Sequence, residues 1–246
     1  MAQDNEDPER VQELELRVKL LEQQLELLSH LTPHHIRNIL GGVIGYIGEA
    51  REAVYSSQSP DISLEQADGQ IRRLLEYATL LQKCYNPARY DFINIDVHEL
   101  MDTVFAEKDG ITVKKNYCTN GSIDMDPSKI KEVLGALKDN AFRELEGKIG
   151  DVCIDTITDG EYLTVRVLNP GKLIGRNGVP LTTEPEIDQI FLPLYTSMAS
   201  RFGMGLAIAR KYVDAHGGSI RAYHNDGKVV VEMKLPIRQD VEIKTV

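Results

Sequence analysis

The fold of this chain is decided by the stretch Gly203-Met204-Gly205-Leu206-Ala207-Ile208, which leads into Val213-Asp214-Ala215-His216-Gly217-Gly218-Ser219-Ile220. Glycines just before a helix leave its first amide groups free to meet phosphate oxygens, and the helix dipole favours negative charge there. The second run predicts the end of that helix, with His216 as a C-terminal residue, and then a strand. A pair of glycines is weak evidence alone, so the rest of the chain must support the site.

A second helix with useful side chains is predicted upstream. Asp126-Pro127 predicts its start, and the helix ends in Lys138-Asp139-Asn140-Ala141-Phe142-Arg143. Asn140 and Arg143 are three residues apart and therefore lie on one face. An amide oxygen suits a hard cation, and a guanidinium suits phosphate.

The segments around these helices alternate between strand and helix patterns. Strand-like alternation occurs at 111–115, 152–157, 163–167 and 229–235. Helical stretches are predicted at 97–105, 128–145 and 205–215. Residues 90–96 are interpreted as a connector, and strands mixed with helices on one face predict an α+β sandwich.

Two further motifs fall at the ends of predicted elements. Asn169-Pro170-Gly171-Lys172-Leu173-Ile174 follows a strand, and Phe191-Leu192-Pro193-Leu194-Tyr195-Thr196 precedes the glycine-rich stretch. Gly171 suits a place where a backbone must approach closely. Taken alone, the first motif is equally well a structural turn. Residues 172–188 are rich in Gly, Pro and Thr and predict a mobile lid.

In their order along the chain, these motifs resemble the N, G1, F and G2 boxes of an ATP-binding domain shared by histidine kinases, DNA gyrase, Hsp90 and mismatch-repair proteins. The resemblance covers residues 126–236 and implies ATP and Mg²⁺ as cofactors. It implies that Asn140 is the metal ligand, that Arg143 lies beside the phosphates and that Asn169 accepts a hydrogen bond from the adenine amine. It also implies nucleotide-binding roles for Gly171, Thr196, Gly203, Gly205 and Leu206.

Three positions depart from the family pattern. Asn169 stands where the family has an aspartate, Leu173 replaces a glycine of the G1 box, and Arg201 replaces a glycine common just before the G2 box. An amide oxygen still accepts a hydrogen bond. The added arginine is predicted either to contact phosphate or to narrow the pocket, so the G1 box is expected to be degenerate but functional.

The N-terminal half carries His34-His35-Ile36-Arg37-Asn38-Ile39, which resembles the H box of two-component sensor histidine kinases. His34 and Asn38 are four residues apart and share one helix face. The resemblance implies that His34 accepts a phosphoryl group and that Asn38 helps to place the water that dephosphorylates a response regulator. His35 stands where the family has an acid, and a neutral imidazole can act as a base without supplying fixed negative charge. Three outcomes stay open: His35 is the base, autophosphorylation is slow, or phosphoryl relay and removal dominate.

Residues 32–88 predict a helical hairpin, because two helical patterns flank a polar turn at 56–60. Two such hairpins make a four-helix bundle. Residues 1–31 carry apolar residues at heptad spacing and predict a coiled coil, with a single amphipathic helix as the alternative. The predicted class is therefore α+β: a coiled coil and hairpin in a dimeric four-helix bundle, followed at 89–246 by an α/β sandwich of the histidine kinase, Hsp90 and gyrase type.

Composition and charge limit the remaining possibilities. With 246 residues and 42% apolar content, the chain can bury a core. No apolar run approaches the roughly 18 residues of a membrane span, and the N-terminus lacks a signal peptide, so a cytoplasmic protein is expected. The net charge of −10 argues against nucleic-acid binding. Three cysteines without metal or disulfide spacing are expected to be reduced.

Together these features predict a homodimeric sensor histidine kinase that phosphorylates His34 from ATP and passes the group to an aspartate in a response regulator receiver domain. The signal would arrive through a separate sensor protein, through the coiled coil, or through a region missing from this chain. One alternative is a histidine phosphotransferase whose ATPase-like domain no longer binds nucleotide. Another is a non-enzymatic coiled-coil scaffold, which would leave the motif matches to chance.

Overall fold

The computed structural model of the chain describes residues 35–56, 58–59, 61–107, 110–198 and 201–238. The predicted coiled coil at 1–31 and His34 lie outside these residues. The chain divides into two compact units between Thr79 and Leu80.

The first unit contains a pair of helices. Helix α1 is helical at 35–55, and α2 spans Asp61–Tyr85, with its last residues in the second unit. Three contacts join them: His35 with Tyr77, Gly42 with Gln70, and Glu49 with Ser63. As the residue number increases along α1, the number of the residue contacted on α2 decreases, so the helices run antiparallel, as a hairpin requires.

The hairpin buries few of its apolar side chains. The buried ones are Ile39, Ala50, Ala67 and Tyr77. Many more remain exposed: Leu40, Ile44, Ile47, Val54, Tyr55, Ile62, Leu64, Ile71 and Leu75. Since the burial of apolar area is the main stabilising term in folding, this pair of helices leaves much of its stabilising surface in contact with solvent.

The second unit is built on a five-stranded sheet, whose strands are β2 (Ile111–Asn116), β4 (Gly150–Thr158), β5 (Tyr162–Pro170), β6 (Ser219–Asn225) and β7 (Lys228–Pro236). Their order across the sheet is β2-β4-β5-β7-β6. The β2–β4 pair is parallel and the other pairs are antiparallel. Strands β1 (Ile93–Asp96) and β3 (Ser122–Met125) form a separate antiparallel pair.

One face of the sheet is apolar and covered by helices. Along β5, the buried residues are Leu163, Val165, Val167 and Asn169, which alternate with partly exposed ones. Helices α3 (Val97–Val104), α4 (Pro127–Arg143) and α6 (Gly205–Ala215) lie on this side, and α5 (Glu184–Asp188) precedes a short 3-10 turn at Gln189–Phe191. This is the two-layer α/β arrangement that the alternation of strands and helices predicted. None of the helices in the described part of the chain has the length and apolarity of a membrane span.

Helix α4 is capped at its start and buried along one side. The Asp126 carboxylate accepts hydrogen bonds from the amides of Ser128 and Lys129, and Pro127 occupies the first turn. The buried residues recur at spacings of three and four: Ile130, Val133, Leu134, Leu137 and Ala141. This stripe packs on α6 and β5. The packing fixes the position of the C-terminal turn of α4, which contains Asn140 and Arg143.

The interpretation of residues 90–96 as a connector was wrong in part, because Ile93–Asp96 forms β1. Its partner β3 was not predicted either. The two strands are four residues long each and pair only with one another, so neither has the repeated apolar alternation that makes a longer strand recognisable. The predicted helix end at His216 is confirmed, since His216 is the C-cap of α6.

Candidate functional site

The C-terminal turn of α4 presents an amide and a guanidinium. Asn140 is partly exposed, and Arg143 is half-buried one turn further on. Arg143 Nη2 donates to the Asp139 carbonyl at 3.3 Å, but its Nε is buried and has no hydrogen-bond partner among the described residues. A buried donor without an acceptor is costly, so this position favours an anion that would accept from it.

A second guanidinium increases the positive charge at this position. Burial lowers the pKa of Arg143, and the nearby charge of Arg201 lowers it further. Arg201 is exposed and lies in the loop before α6. The carboxylates of Asp139, Glu144 and Glu146 act on the pKa of Arg143 in the opposite sense. The two guanidinium groups together suit a polyanionic ligand.

The N-terminus of α6 lies against the same helix face. A Cβ placed on Gly205 would be 3.7 Å from Ala136 Cβ, and Ala136 is one helical turn before Asn140. The N-cap residue is Met204, whose buried side chain makes no capping hydrogen bond. The first amides of α6 therefore keep the donor capacity and partial positive charge that suit a phosphate group.

Gly203 is required by the backbone that passes beside it. Its φ is +64°, and a Cβ there would lie 2.6 Å from the Tyr195 carbonyl oxygen. No side chain fits that space, so the glycine lets the loop that contains Thr196 pack directly against the start of α6. Leu206 lies in the first turn of α6 and is partly exposed.

The loop before Gly203 is held by its own hydrogen bonds. Thr196 Oγ1 accepts from the Met198 amide at 3.1 Å, which makes a turn within the loop. Arg176 donates to the Leu194 carbonyl at 2.7 Å and lies over the Tyr195 ring at 4.8 Å. Burial lowers the pKa of Arg176. Sequence reasoning missed Arg176, since a single arginine in a polar loop has no motif around it.

The G1 motif meets the end of α4. Asn169 is 2% exposed, near the end of β5, and its Nδ2 donates to the Pro170 carbonyl at 3.0 Å. Gly171 has a φ of +138°, and a Cβ there would lie 3.3 Å from Glu144 Oε2. Because Glu144 caps α4 directly after Arg143, the structure brings the G1 motif and the end of α4 together.

Leu173, where the family has a glycine, buries its side chain. It is paired by the hydrogen bond from the Leu181 amide to its carbonyl at 2.8 Å, and both leucines are buried. Ile174 and Pro180 form a β-bridge within the same segment. Within the segment predicted to be a lid, residues 173–181 therefore form a small closed turn and Glu184–Asp188 forms α5, and the mobility of the segment remains a prediction.

The H-box residues lie in the other unit. The half-buried His35 ring lies 5.9 Å from the Tyr77 ring at an interplanar angle of 45°, and Asn38 is exposed on α1. His34 lies outside the described residues, so its pairing with Asn38 remains a prediction. Within the part of the chain that the structure describes, no cluster of three or more His, Cys, Asp or Glu side chains could hold a metal.

Residues 125–239 match the family described as histidine kinase-, DNA gyrase B-, and HSP90-like ATPase. The sensor histidine kinase ZraS of Escherichia coli K12 is 25% identical over 216 residues, which is 84% of this chain and 44% of that protein. Adaptive-response sensory kinase SasA of Prochlorococcus marinus is 26% identical over 226 residues, covering 85% of this chain and 57% of that one. The chain thus spans about half the length of the curated relatives it matches.

Solved structures agree on the fold. The nucleotide-free catalytic domain of histidine kinase ThkA has a TM-score of 0.52 and 26% identity, and the match covers 60% of this chain and 97% of that one. ThkA in complex with the response regulator protein TrrA has a TM-score of 0.64 and 22% identity, over 92% of this chain and 66% of that one. At that identity the second likeness shows the fold alone.

Proposed function

Residues 125–239 form an ATPase domain of the histidine kinase, gyrase B and Hsp90 type in a chain related to two-component sensor histidine kinases, and on that premise we propose that this protein is an ATP-dependent histidine kinase. The observation that carries the proposal is the buried Nε of Arg143, which has no partner among the residues that the structure describes, beside Asn140 and the uncapped start of α6. Two elements, α4 and α6, thus offer donors to one anion, as a polyphosphate requires.

In this proposal, the phosphates lie between α4 and the start of α6. The amides around Gly205 and Leu206 donate to phosphate oxygens, and Arg143 donates through Nε. Gly203 and Thr196 shape the loop that lies over this end of the helix. The adenine amine donates to Asn169 Oδ1, because Nδ2 of the same side chain is already committed to Pro170.

Asn140 is proposed as the protein ligand of Mg²⁺. A single amide oxygen fits this ion, since Mg²⁺ usually retains waters and takes most other ligands from substrate phosphates. Bound there, the ion would offset the charge that develops on the transferred phosphoryl group. Gly171 lies beside Glu144 and has no side chain, which leaves room for the adenine base.

The acceptor of the phosphoryl group is proposed to be a ring nitrogen of His34. His35 is proposed to take the proton released by the attacking imidazole, since it is adjacent and carries a base of suitable strength. The exposed amide of Asn38 would orient water for dephosphorylating the regulator. The histidine phosphotransferase alternative gains no support from the comparisons, because the matched relatives are kinases.

A response regulator is proposed as the partner, since ThkA, which shares this fold, is in complex with one. A homodimer is proposed as the working form because the hairpin exposes Ile44, Ile62 and Leu75 by 71%, 72% and 64%. A second hairpin would bury that surface in a four-helix bundle. A cytoplasmic location and a signal received from a separate sensor protein complete the proposal.

The test is incubation of the purified chain with radiolabelled ATP and Mg²⁺. The expected product carries acid-labile, base-stable label that disappears in His34→Gln and persists in Asn38→Ala. Unlabelled protein with no measurable ATP binding would overturn the kinase assignment and favour the phosphotransferase.

A matched pair of variants separates binding from folding. Asn140→Asp is expected to weaken Mg²⁺-dependent ATP binding while the melting temperature stays near that of the parent. Asn86→Asp, in the linker after α2, is the control and should leave ATP affinity unchanged. Equal affinity in all three proteins would remove Asn140 from the site.

A further inference from the structure

A thiol, an imidazole and a hydroxyl meet near the β2 edge of the sheet, away from the candidate nucleotide site. Cys118 follows β2, Thr156 lies on β4, and His98 is in the first turn of α3. Thr156 pairs with Val165, whereas Leu168, which precedes Asn169, pairs with Cys153. Cys153 and Thr156 are three residues apart on β4, which is a distance of about 10 Å along the strand.

The three side chains are within reach of one another. His98 Nε2 lies 3.0 Å from Thr156 Oγ1 and 3.9 Å from Cys118 Sγ. The Thr156 hydroxyl is 3.4 Å from Cys118 Sγ and also accepts from the Cys118 amide at 2.8 Å. The hydroxyl therefore bridges the thiol and the imidazole, which are slightly too far apart for a strong direct hydrogen bond.

The imidazole is held in one orientation by its surroundings. His98 Nδ1 lies 3.4 Å from Asp96 Oδ1, and the ring stacks on Tyr117 at 4.3 Å with an interplanar angle of 4°. A carboxylate beside Nδ1 favours the proton there and leaves Nε2 as the acceptor. Any side chain at Gly121 would collide with Asp96 and His98, so the glycine keeps this arrangement open.

Cys118 differs from Cys84 in the groups that surround its sulfur. Burial raises the pKa of the Cys84 thiol to about 11. Cys118 is partly exposed, as Cys84 is, but it has a base and a hydroxyl beside its sulfur, and its thiol donates to the Asn120 carbonyl at 3.2 Å. Thiolates react and thiols do not, so a thiol that can transfer its proton to a neighbouring base is the more reactive of the two.

We propose that Cys118 is a nucleophilic thiol that reacts with hydroperoxides, with Thr156 and His98 relaying its proton. The thiol proton passes to the Thr156 oxygen while the Thr156 hydroxyl proton passes to His98 Nε2. The thiolate sulfur then attacks the peroxide, an S–O bond forms and the O–O bond breaks. The leaving oxygen takes the proton from His98, so the products are a sulfenic acid and an alcohol or water.

Other charged residues lie near His98 and Cys118 and contribute to the pH dependence of the proposed reaction. Asp102 accepts from Lys115 Nζ at 2.7 Å and from the Tyr117 hydroxyl at 3.0 Å. Asp96 and Asp102 are acidic, and Lys115 offsets one of them.

The experiment measures the modification rate of each cysteine in the full chain by mass spectrometry, with iodoacetamide and hydrogen peroxide as separate probes. At pH 7.5, Cys118 is expected to react at least about tenfold faster than Cys84 with both reagents. His98→Gln should lower the Cys118 rate and move its pH profile towards that of an ordinary thiol. A Cys118 rate equal to that of Cys84, or an unchanged profile in His98→Gln, would overturn the proposal.

A second pair of variants distinguishes loss of the bridging hydroxyl from a defect in folding. Thr156→Ser keeps the bridging hydroxyl and is expected to retain the fast reaction, while Thr156→Val keeps the shape and should lose it. The Cys84 rate reports unfolding in each sample, because it rises if the core opens. Alkylation without peroxide oxidation would also refute the proposal, since it would show a nucleophile that hydroperoxides do not reach.

Discussion

The Asp126 amide donates a hydrogen bond to His216 Nε2 at 3.0 Å, which joins the start of α4 to the end of α6. The other ring nitrogen of His216 donates to the Tyr212 carbonyl at 2.6 Å. His216 has no exposed surface. The imidazole therefore holds the two helices together at one end, while the opposite ends carry Arg143 and Gly205.

Acidification is expected to destabilise the second unit, residues 80–246, through His216. Burial lowers the pKa of His216 below its ordinary value of 6.5. The unfolded chain therefore protonates His216 more readily than the folded chain does. The contribution of neutral His216 to the free energy of unfolding is complete above pH 6.5 and is lost as the pH falls towards and through the folded pKa. Urea unfolding at pH 7.5, 6.5 and 5.5 measures the loss, which this one group limits to about 1.4 kcal/mol per pH unit.

The matched variant is His216→Gln, whose amide can accept from Asp126 and donate to Tyr212 without taking up a proton. It should flatten the pH dependence between pH 7.5 and 5.5. The same slope in both proteins would mean that another group titrates in this range.

Replacing Arg143 is expected to affect ligand binding more than folding. Arg143→Met removes a half-buried cation whose Nε has no acceptor among the described residues, so the free energy of unfolding should be unchanged or slightly higher. Loss of a charge-assisted hydrogen bond should weaken ATP binding by about 2 kcal/mol. Calorimetric titration with Mg²⁺-ATP checks the affinity. Lys131→Met, on the exposed side of α4, should bind as the parent does, and equal weakening in both variants would contradict the assignment.

Gly203→Ala is expected to destabilise the unit and abolish ATP binding. Its methyl group would meet the Tyr195 carbonyl at 2.6 Å in a backbone with φ of +64°. Gly227→Ala is the control, because its φ of +74° imposes similar backbone strain with no heavy atom within 4 Å among the described residues. The control should cost about 1 kcal/mol and Gly203→Ala roughly twice that or more. Equal losses in thermal unfolding would mean that the Tyr195 loop moves aside freely.

The dimer proposal predicts that charge on the exposed hairpin face prevents association. Ile44→Glu with Leu75→Glu should convert a dimer into a monomer, because a buried charge without a partner is strongly unfavourable. Light scattering coupled to gel filtration measures the mass. Arg51→Glu changes charge at an exposed position without altering apolar surface, and it should remain dimeric. A monomeric parent protein would refute the dimer at once.

Much of the second unit could be predicted from local patterns. The uninterrupted alternation in β5 and the three-and-four spacing in α4 reflect burial of one face, which is visible in the sequence itself, whereas β7 buries the consecutive residues 229–233. Gly205–Ala215 was predicted to the residue because glycines mark both ends. Strands β1 and β3 escaped prediction, since their four residues are stabilised by each other across a long loop.

The sequence by itself determined the residue types and their order: an amide and a guanidinium one turn apart on a helix, and glycines before another. Tertiary structure alone decided that Gly205 lies against Ala136, that Gly171 lies against Glu144, and that the buried Nε of Arg143 has no partner in the described part of the chain. Local periodicity follows from which face of an element is buried, so a sequence records it. Contacts between elements depend on how whole helices and strands pack, and burial of an unpaired donor arises only from that packing.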